Sequence, residues 1–324
     1  SLSGVKMFGG DGNDTLIAKE LDGLIDGGAG IDTVQFSAAV SSANLTNAEL
    51  VSIEKVQITN TGSAAYDFSV QAEALEITGG RANDNITGGG GNDTITGGLG
   101  ADTLTGGNGD DVLVADANDA LIDGGAGSGL GIGGGNDTVQ FAAAVSGLTD
   151  GELLYVENVV ITNTGNAAYD FSQQSEALNI QGGRGKDTIT GGTAADTLSG
   201  GNGNDLLIAK ATDALVDGGA GNDSVQYDAD VSVGALTDAE LANVEYVVIT
   251  DTNGGMYDFS SQTEGLDITG TSSIDSVKGG RGADVLRGGL GNDHLYAGDN
   301  DKLIDGGNGS DTAYFASSVS AKNL

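Results

Sequence analysis

Apolar residues recur at nine-residue intervals over much of the chain. Ile86, Ile95 and Leu104 form one such series, and each lies between two Asn or Thr residues. An inward apolar residue between outward neighbours is typical of a short, half-buried strand. Glycine and asparagine fill the space between successive apolar positions, which predicts a turn in every nine residues. The pattern therefore predicts a repeat fold of short strands and tight turns.

The nine-residue unit has the form G-G-x-G-x-D-x-U-x, where U is apolar. Its clearest run begins at Gly79 and continues in register at Gly88, Gly97 and Gly106. Further copies begin at Gly182, Gly191, Gly200, Gly279 and Gly288, with a separate copy at Gly9. Glycine permits the backbone conformations that tight turns require, so its fixed spacing indicates turns at a fixed spacing.

A second period of roughly 87–105 residues alternates these runs with segments that lack the motif. Phe68, Ile77 and Ile86 keep the nine-residue spacing across one such segment, so we expect the repeat fold to continue through it. Thr149 and Glu152 form a capping-box pattern, as do Thr46 with Glu49 and Thr237 with Glu240, which predicts one short helical turn. The glycine-rich stretch 128–134 is expected to be a looped-out turn.

The composition adds a constraint on what stabilises the fold. The 324 residues include 58 glycines, no proline, cysteine or tryptophan, and a formal net charge of −35. A disulfide framework and thiolate metal sites are thereby excluded, and no basic patch is present for nucleic acid. No apolar stretch is long enough to span a membrane. Because so many carboxylates repel one another, we expect a stoichiometric cationic partner.

The nonapeptide resembles the repeat of the RTX family, which is a calcium-binding β-helix repeat. The resemblance implies calcium ions bound between a turn and the turn two repeats later, with about eight or more ions in all. The expected ligands are the aspartates Asp14, Asp32, Asp84, Asp93, Asp102, Asp111, Asp137, Asp187, Asp196, Asp205, Asp223, Asp275, Asp284, Asp293 and Asp311. Backbone carbonyls of the turns complete the set, including Gly80 and position 82, where Ala82 replaces the glycine of the motif.

A degenerate turn follows each run and keeps the apolar residue on the nine-residue lattice. It contains two acids, such as Asp119 and Asp123 in the second block or Asp213 and Asp217 in the third. The Gly-Gly pair is missing and the acid is shifted by one place. These acids are either ligands of altered sites or simple turn formers, and the sequence does not decide between the two.

We therefore predict an all-β fold, a right-handed parallel β-roll or β-helix solenoid of about 18 residues per coil. RTX blocks alternate in it with non-RTX coils. The predicted RTX blocks are 1–36 (partial), 79–141, 182–227 and 270–315; the non-RTX coils are 37–78, 142–181 and 228–269, and 316–324 begins a further unit.

The sequence shows no group of residues typical of a catalytic site, so we expect that the chain is not an enzyme. His294 is the only histidine and is predicted to face solvent. Glu73 and its counterparts Glu176 and Glu264 recur once per block, as surface residues do. Tyr66, Tyr169 and Tyr257 are expected in the core. A Gly-Lys-Ser/Thr phosphate loop is absent.

The favoured function is that of a calcium-dependent structural protein of the bacterial surface, such as a surface-layer subunit, a filament or an adhesin shaft. The RTX resemblance implies type I secretion and folding outside the cell, and the structural role predicts assembly with further copies of the chain in a lattice or filament. The alternative is the calcium-binding module of a secreted enzyme or toxin. A glycan- or ice-binding adhesin would present a flat face of regular Thr residues, and Thr94, Thr96, Thr103 and Thr105 are confined mainly to one block.

Overall fold

The computed structural model describes residues 4–19, 22–43, 45, 47–125, 135–232 and 236–315. Every regular element in these ranges is a β-strand, and all the strand pairs are parallel. No helix long and apolar enough to cross a membrane occurs in them. The chain divides into two compact units, 1–161 and 162–324.

The described residues of the first unit form sixteen short strands that alternate between two sides of the solenoid. Odd-numbered strands form the sheets β1-β3-β5 and β7-β9-β11-β13-β15, and even-numbered strands pair in the order β2-β4-β6-β8-β10-β12-β14-β16. The strands are β1 (Met7–Asp11), β2 (Thr15–Ala18), β3 (Ile25–Ala29), β4 (Thr33–Phe36), β5 (Leu50–Val51), β6 (Lys55–Ile58), β7 (Ala65–Asp67), β8 (Glu76–Thr78), β9 (Asn85–Thr87), β10 (Thr94–Thr96), β11 (Thr103–Thr105), β12 (Val112–Ala115), β13 (Leu121–Asp123), β14 (Thr138–Phe141), β15 (Leu153–Leu154) and β16 (Asn158–Ile161).

The second unit repeats this plan. Its odd-numbered strands pair in the order β17-β19-β21-β23-β25-β27-β29-β31, and its even-numbered strands form β18-β20-β22-β24 and β26-β28-β30-β32. The strands are β17 (Ala168–Asp170), β18 (Asn179–Gln181), β19 (Thr188–Thr190), β20 (Thr197–Ser199), β21 (Leu206–Ala209), β22 (Leu215–Asp217), β23 (Ser224–Tyr227), β24 (Leu241–Ala242), β25 (Tyr246–Ile249), β26 (Met256–Asp258), β27 (Asp267–Thr269), β28 (Ser276–Lys278), β29 (Val285–Leu290), β30 (His294–Ala297), β31 (Leu303–Asn308) and β32 (Thr312–Phe315).

The strand register confirms the predicted coil of about 18 residues in the RTX blocks. Ile77, Ile95 and Leu113 lie side by side on successive strands, each 18 residues after the one before. The non-RTX coils are longer. Val34 pairs with Val56, 22 residues later, and Val56 pairs with Ile77 after a further 21. The added residues lie in the turns, so strand pairing continues through the non-RTX coils of each unit as predicted.

The core is a column of apolar side chains, one or two per strand, between the two sides of the solenoid. The apolar residue is buried in the nonapeptides that begin at Gly79, Gly88, Gly97 and Gly106, and the exposed fraction of Ile86 and Leu104 is zero. The non-RTX coils add aromatic residues. Tyr66 and Phe68 are buried, and the ring of Phe68 packs 6.1 Å from that of Phe36. Tyr169 and Tyr257 are also fully buried, which confirms their predicted place in the core.

Two details differ from the sequence prediction. Phe68 is on the nine-residue lattice, but the register aligns Tyr66 with Ile86, because the non-RTX coil is two residues longer. The capping boxes at Thr149 and Thr237 form single turns rather than helix: Glu152 accepts a hydrogen bond from the Thr149 amide (2.7 Å) and donates its own amide to the Thr149 carbonyl (2.9 Å). Thr46, the stretch 128–134 and the segment 316–324 lie wholly or partly outside the described residues.

Candidate metal centres

The predicted aspartates lie in the turns that precede the strands, and most of them are buried. Thirteen have at most 2% of their surface exposed, Asp14 is half-buried and Asp311 is exposed. The thirteen are Asp32, Asp84, Asp93, Asp102, Asp111, Asp137, Asp187, Asp196, Asp205, Asp223, Asp275, Asp284 and Asp293. Aspartate is rarely buried unless its charge is compensated, so this burial requires a partner for each carboxylate.

Part of that compensation comes from the backbone of the neighbouring coil. The N–H of Asp84 donates to Oδ1 of Asp102 at 2.7 Å, and the N–H of Asp93 donates to Oδ1 of Asp111 at 2.7 Å. The same bond, at 2.7–3.0 Å, joins Asp14 to Asp32, Asp187 to Asp205, Asp205 to Asp223, Asp275 to Asp293, and Asp293 to Asp311. Each of these seven pairs joins a turn to the turn two repeats later, as the RTX resemblance implies, and the pairs form columns of stacked turns.

The second carboxylate oxygen is left without a protein partner in many of these turns. Within the described residues, nine buried Oδ2 atoms accept no hydrogen bond: those of Asp14, Asp32, Asp102, Asp111, Asp137, Asp187, Asp205, Asp223 and Asp293. Burying a carboxylate oxygen without a hydrogen-bond partner costs on the order of several kcal/mol of folding free energy. Its recurrence at equivalent positions fits a bound cation.

Two kinds of oxygen converge on the first glycine of the motif. A Cβ atom added to Gly106 would lie 2.3 Å from Oδ2 of Asp111 and 2.4 Å from the carbonyl oxygen of Gly124 in the next coil. A carboxylate and a carbonyl oxygen thus approach the same glycine, and a residue with a side chain does not fit between them. Calcium prefers such oxygens at about 2.3–2.6 Å. The donor set therefore suits calcium.

Two kinds of turn can be distinguished by the second glycine. In the turns of Asp102, Asp111 and Asp205 this glycine has a positive φ, as at Gly107 with 122°, and Oδ2 is free. In the first turns after a non-RTX coil the corresponding amide instead donates to Oδ2, as Gly89 does to Asp93 at 2.6 Å. The others are Gly80 with Asp84, Gly192 with Asp196, Thr271 with Asp275, and Gly280 with Asp284. Asp187 departs from this division, because its turn also follows a non-RTX coil and its Oδ2 atom accepts no hydrogen bond.

Burial also shifts the acidity of these groups. Burial raises the pKa of Asp111 to about 7; the backbone hydrogen bond from Asp93 opposes the rise, and the charges of Asp93, Asp137 and Asp110 add to it. The pKa values of Asp137 and Asp205 rise to about 6, again chiefly through burial. Without a cation, burial therefore makes the ionised form of these carboxylates less favourable, and a divalent ion would stabilise it.

The two predicted carbonyl positions face the next turn in the column. A Cβ on Gly98 would lie 2.3 Å from the Gly80 carbonyl oxygen, and one on Gly100 would lie 2.8 Å from the Ala82 oxygen. The Gly80 carbonyl also accepts the Leu99 amide at 3.2 Å. Both carbonyls therefore line the turn that carries Asp102, and their ligation of calcium stays a prediction.

The first acid of the degenerate turns favours the turn-forming interpretation, whereas Oδ1 of the second acid Asp123 is buried and accepts no hydrogen bond. Asp119 accepts the Asp102 amide at Oδ1 (3.0 Å) and the Asp116 amide at Oδ2 (2.9 Å), so both oxygens are engaged by the backbone. Asp213 and Asp301 make the same two kinds of contact. These residues end an aspartate column and leave no free oxygen for an ion.

Three glutamates that the sequence did not single out continue the columns. Glu54, Glu157 and Glu245 accept the amides of Asp32, Asp137 and Asp223 at 2.7–2.8 Å. The sequence feature that could have identified these glutamates is their recurrence 20–22 residues after the last aspartate of a block. That interval is not part of the nonapeptide pattern.

The remaining candidates are surface features. Glu73, Glu176 and Glu264 are exposed. His294 is half-buried on β30, where its ring lies 5.8 Å from that of Tyr314 and its Nδ1 is 3.3 Å from the tyrosine hydroxyl. The histidine is therefore less exposed than the solvent-facing position that the sequence predicts for it.

The comparison with known families agrees with this geometry. A family model described as the RTX calcium-binding nonapeptide repeat matches residues 6–20, 76–104, 97–130, 179–209, 269–301 and 278–313. The chain carries RTX repeats. These repeats bind calcium, and the matched segments contain most of the buried aspartate turns. A search of curated proteins found no match to the chain.

The RTX repeats here place few carboxylates around any one point. Among the residues that the structure describes, no three His, Asp or Glu side chains form a metal-binding group. RTX turns such as those of Asp102, Asp111 and Asp205 instead offer one free carboxylate oxygen together with backbone carbonyls. A calcium site of this kind depends on the glycine-rich backbone as much as on the acid, because the carbonyls must converge.

Proposed function

We propose that this chain is a calcium-dependent structural repeat protein of the bacterial cell surface or extracellular matrix, which folds on binding calcium after export. The observation that carries the proposal is the recurrence of buried carboxylate oxygens without a protein partner in both units. RTX repeats are calcium-binding structural repeats, and proteins that contain them are generally secreted by bacteria.

Calcium binding and folding are expected to be a single equilibrium. In the absence of calcium, the stacked turns bring ionised aspartates into a dry environment, which opposes folding at neutral pH. The unfolded chain does not hold the two coils together and so lacks the site. Binding free energy therefore becomes folding free energy. A chain of this kind stays unfolded where calcium is scarce and folds where it is abundant.

The structural role is favoured over a catalytic one because the buried acids of the repeats make contacts between adjacent coils. The acids recur in every block and face backbone carbonyls of adjacent coils rather than an open cleft. Assembly with further copies in a surface layer, filament or adhesin shaft is part of the proposal. A module attached to a secreted enzyme or toxin is the competing function, and the sequence of the complete gene distinguishes them by the presence of a catalytic domain.

Circular dichroism during a calcium titration tests the central claim. We expect the β-sheet signal to appear cooperatively with calcium, to disappear on adding a chelator, and to be insensitive to magnesium at the same concentration. Magnesium serves as the control because it requires a smaller, octahedral site and gives up its water reluctantly. A full β-sheet signal that persists after exhaustive chelation would contradict the proposal.

A further inference from the structure

Each of the first three repeat blocks ends on an aspartate whose turn is followed by a non-RTX coil. These last aspartates are Asp32, Asp137 and Asp223. Each is at most 1% exposed and has an Oδ2 atom that accepts no hydrogen bond from the described residues. All three lie outside the segments that match the RTX family model. Their carboxylates therefore need a partner that no further glycine-rich turn supplies.

A carbonyl oxygen from the non-RTX coil occupies the place of the glycine carbonyl. A Cβ added to Gly124 would lie 2.6 Å from Oδ2 of Asp137 and 2.0 Å from the carbonyl oxygen of Tyr155. The arrangement recurs at Gly27 with Asp32 and Ser52 (2.6 and 2.1 Å) and at Gly218 with Asp223 and Asn243 (2.9 and 2.1 Å). The same pair of oxygens, a carboxylate and a carbonyl, thus converges on the glycine as in an RTX turn.

The residues that present these carbonyls have an unusual backbone. Ser52, Tyr155 and Asn243 have φ values of 49°, 51° and 51°, and they are the non-glycine residues with positive φ in the described chain. The left-handed conformation costs such residues about 1–2 kcal/mol. Its recurrence at three equivalent positions, in three different residue types, indicates that the backbone direction matters and the side chain does not.

A glutamate two residues after the left-handed residue makes the contact that an aspartate makes in an RTX turn. Glu157 accepts the amide of Asp137 at 2.8 Å, which is the contact that the next aspartate makes inside a block. In an RTX turn the acid follows the first glycine by five positions, as Asp111 follows Gly106, whereas Glu157 follows Tyr155 by two. The turn is three residues shorter, and the longer glutamate side chain spans the gap. Glu54 and Glu245 make the same contact.

We propose that each of these blocks ends in an additional divalent-cation site, formed by the last aspartate, the carbonyl of the left-handed residue and the charge of the glutamate. The ion is calcium, because the oxygens match those of the RTX turns in the same columns. The proposal rests on calcium binding by the RTX turns and extends it into coils that lack the motif.

Anomalous scattering from crystals grown with terbium in place of calcium tests the proposal directly. We expect a peak between Oδ2 of Asp137 and the carbonyl oxygen of Tyr155, with equivalent peaks at Ser52 and Asn243. Peaks in the RTX turns, such as that of Asp111, together with none at the three block ends would overturn the proposal and leave RTX calcium binding intact. A crystal without any peak would contradict both.

Substitution of the glutamates provides a second test in solution. The triple change Glu54→Gln, Glu157→Gln and Glu245→Gln keeps a hydrogen-bond acceptor and removes the charge. We expect native mass spectrometry to count three fewer calcium ions, at the free calcium concentration that just saturates the control.

The control is Glu73→Gln with Glu176→Gln and Glu264→Gln, which makes the same change at exposed glutamates that also recur once per block. An unchanged ion count in the first triple variant would refute the proposal. If that variant does not fold, the single change Glu157→Gln must lose one ion for the proposal to stand.

Discussion

Replacing Asp111 by asparagine should change stability in opposite directions with and without calcium. Asparagine keeps the Oδ1 atom that accepts the Asp93 amide. It replaces the unpartnered Oδ2 atom, which lies beside the Gly124 carbonyl, with a neutral NH₂ group. The substitution therefore preserves the contact between coils and removes only the charge that calcium would neutralise.

Without calcium, the substitution should stabilise the fold at neutral and higher pH. The pKa of Asp111 rises from 3.8 to about 7, chiefly through burial. At about 1.4 kcal/mol per pKa unit, ionised Asp111 opposes folding by at most about 4 kcal/mol, and we expect roughly 1–3 kcal/mol after relaxation of the surroundings.

The sign of the pH dependence follows from proton binding. Because the folded pKa is higher than the unfolded one, the ion-free folded state binds more protons between about pH 4 and pH 7. Its stability therefore falls as the pH rises through this window. Asparagine removes this contribution, so its advantage should vanish near about pH 4.

With calcium, the same substitution should be destabilising. A ligand present at about 100 times its dissociation constant stabilises the folded state by about 2.7 kcal/mol per site. Asparagine weakens one such site, since a neutral amide is a poorer calcium ligand than a carboxylate. We expect a net loss of roughly 1–3 kcal/mol in saturating calcium, opposite in sign to the effect in chelator.

Urea unfolding followed by circular dichroism measures both effects, with a stabilising osmolyte in the chelator arm to populate the folded state. Asp228→Asn is the matched control, because Asp228 is exposed, and it should stay within about 0.5 kcal/mol in both arms. If Asp111→Asn shifts stability in the same direction with and without calcium, the interpretation of the free carboxylate oxygen as a cation ligand is wrong.

Three further predictions address the turns and the core. Gly106→Ala should abolish one calcium site, because the added Cβ would lie 2.3 Å from a carboxylate oxygen. The control Gly151→Ala adds a Cβ in open space and should leave the ion count unchanged. Native mass spectrometry measures the ion count of both variants. Asp119→Asn should also leave the ion count unchanged, since both carboxylate oxygens already accept backbone amides; one ion fewer would restore the ligand interpretation of the degenerate turns. Phe68→Ala should destabilise the calcium-bound protein by about 3–5 kcal/mol in urea unfolding, because Phe68 is fully buried. The control Val70→Ala changes a half-exposed residue of the same coil and should cost less than about 1 kcal/mol. Equal losses would show that the non-RTX coil is not part of the core.

The solenoid and its aspartate columns were predictable because the sequence repeats them. A fixed nine-residue interval leaves one arrangement in which every apolar residue points inward, and the register of Ile77, Ile95 and Leu113 follows from it. The pairing of Asp84 with Asp102 follows from the same interval. In such a fold each coil contacts only its neighbours, so local periodicity determines the long-range contacts.

The block ends could not be predicted in this way. The glutamate contact from Glu157 to Asp137 spans 20 residues, while Glu54 and Asp32 are 22 apart, so no fixed interval marks them. The left-handed backbone of Tyr155 is also invisible in sequence, because tyrosine has no preference for it. These features depend on how a shorter turn is accommodated by the coil before it, which is a property of the packed structure.

The two kinds of coil obtain stability from different contacts, and we expect them to fold together. In the first unit, the non-RTX strands β6 and β7 pair directly with β8 and β9, which lead into the glycine-rich turns. Buried aromatic residues such as Tyr66 and Phe68 give these coils a larger apolar core than an RTX coil has. They nevertheless lose half of their backbone pairing if the adjacent RTX coils separate. Removal of calcium should therefore unfold the aromatic coils as well, because pairing between neighbours, rather than each coil's own core, determines whether the array is ordered.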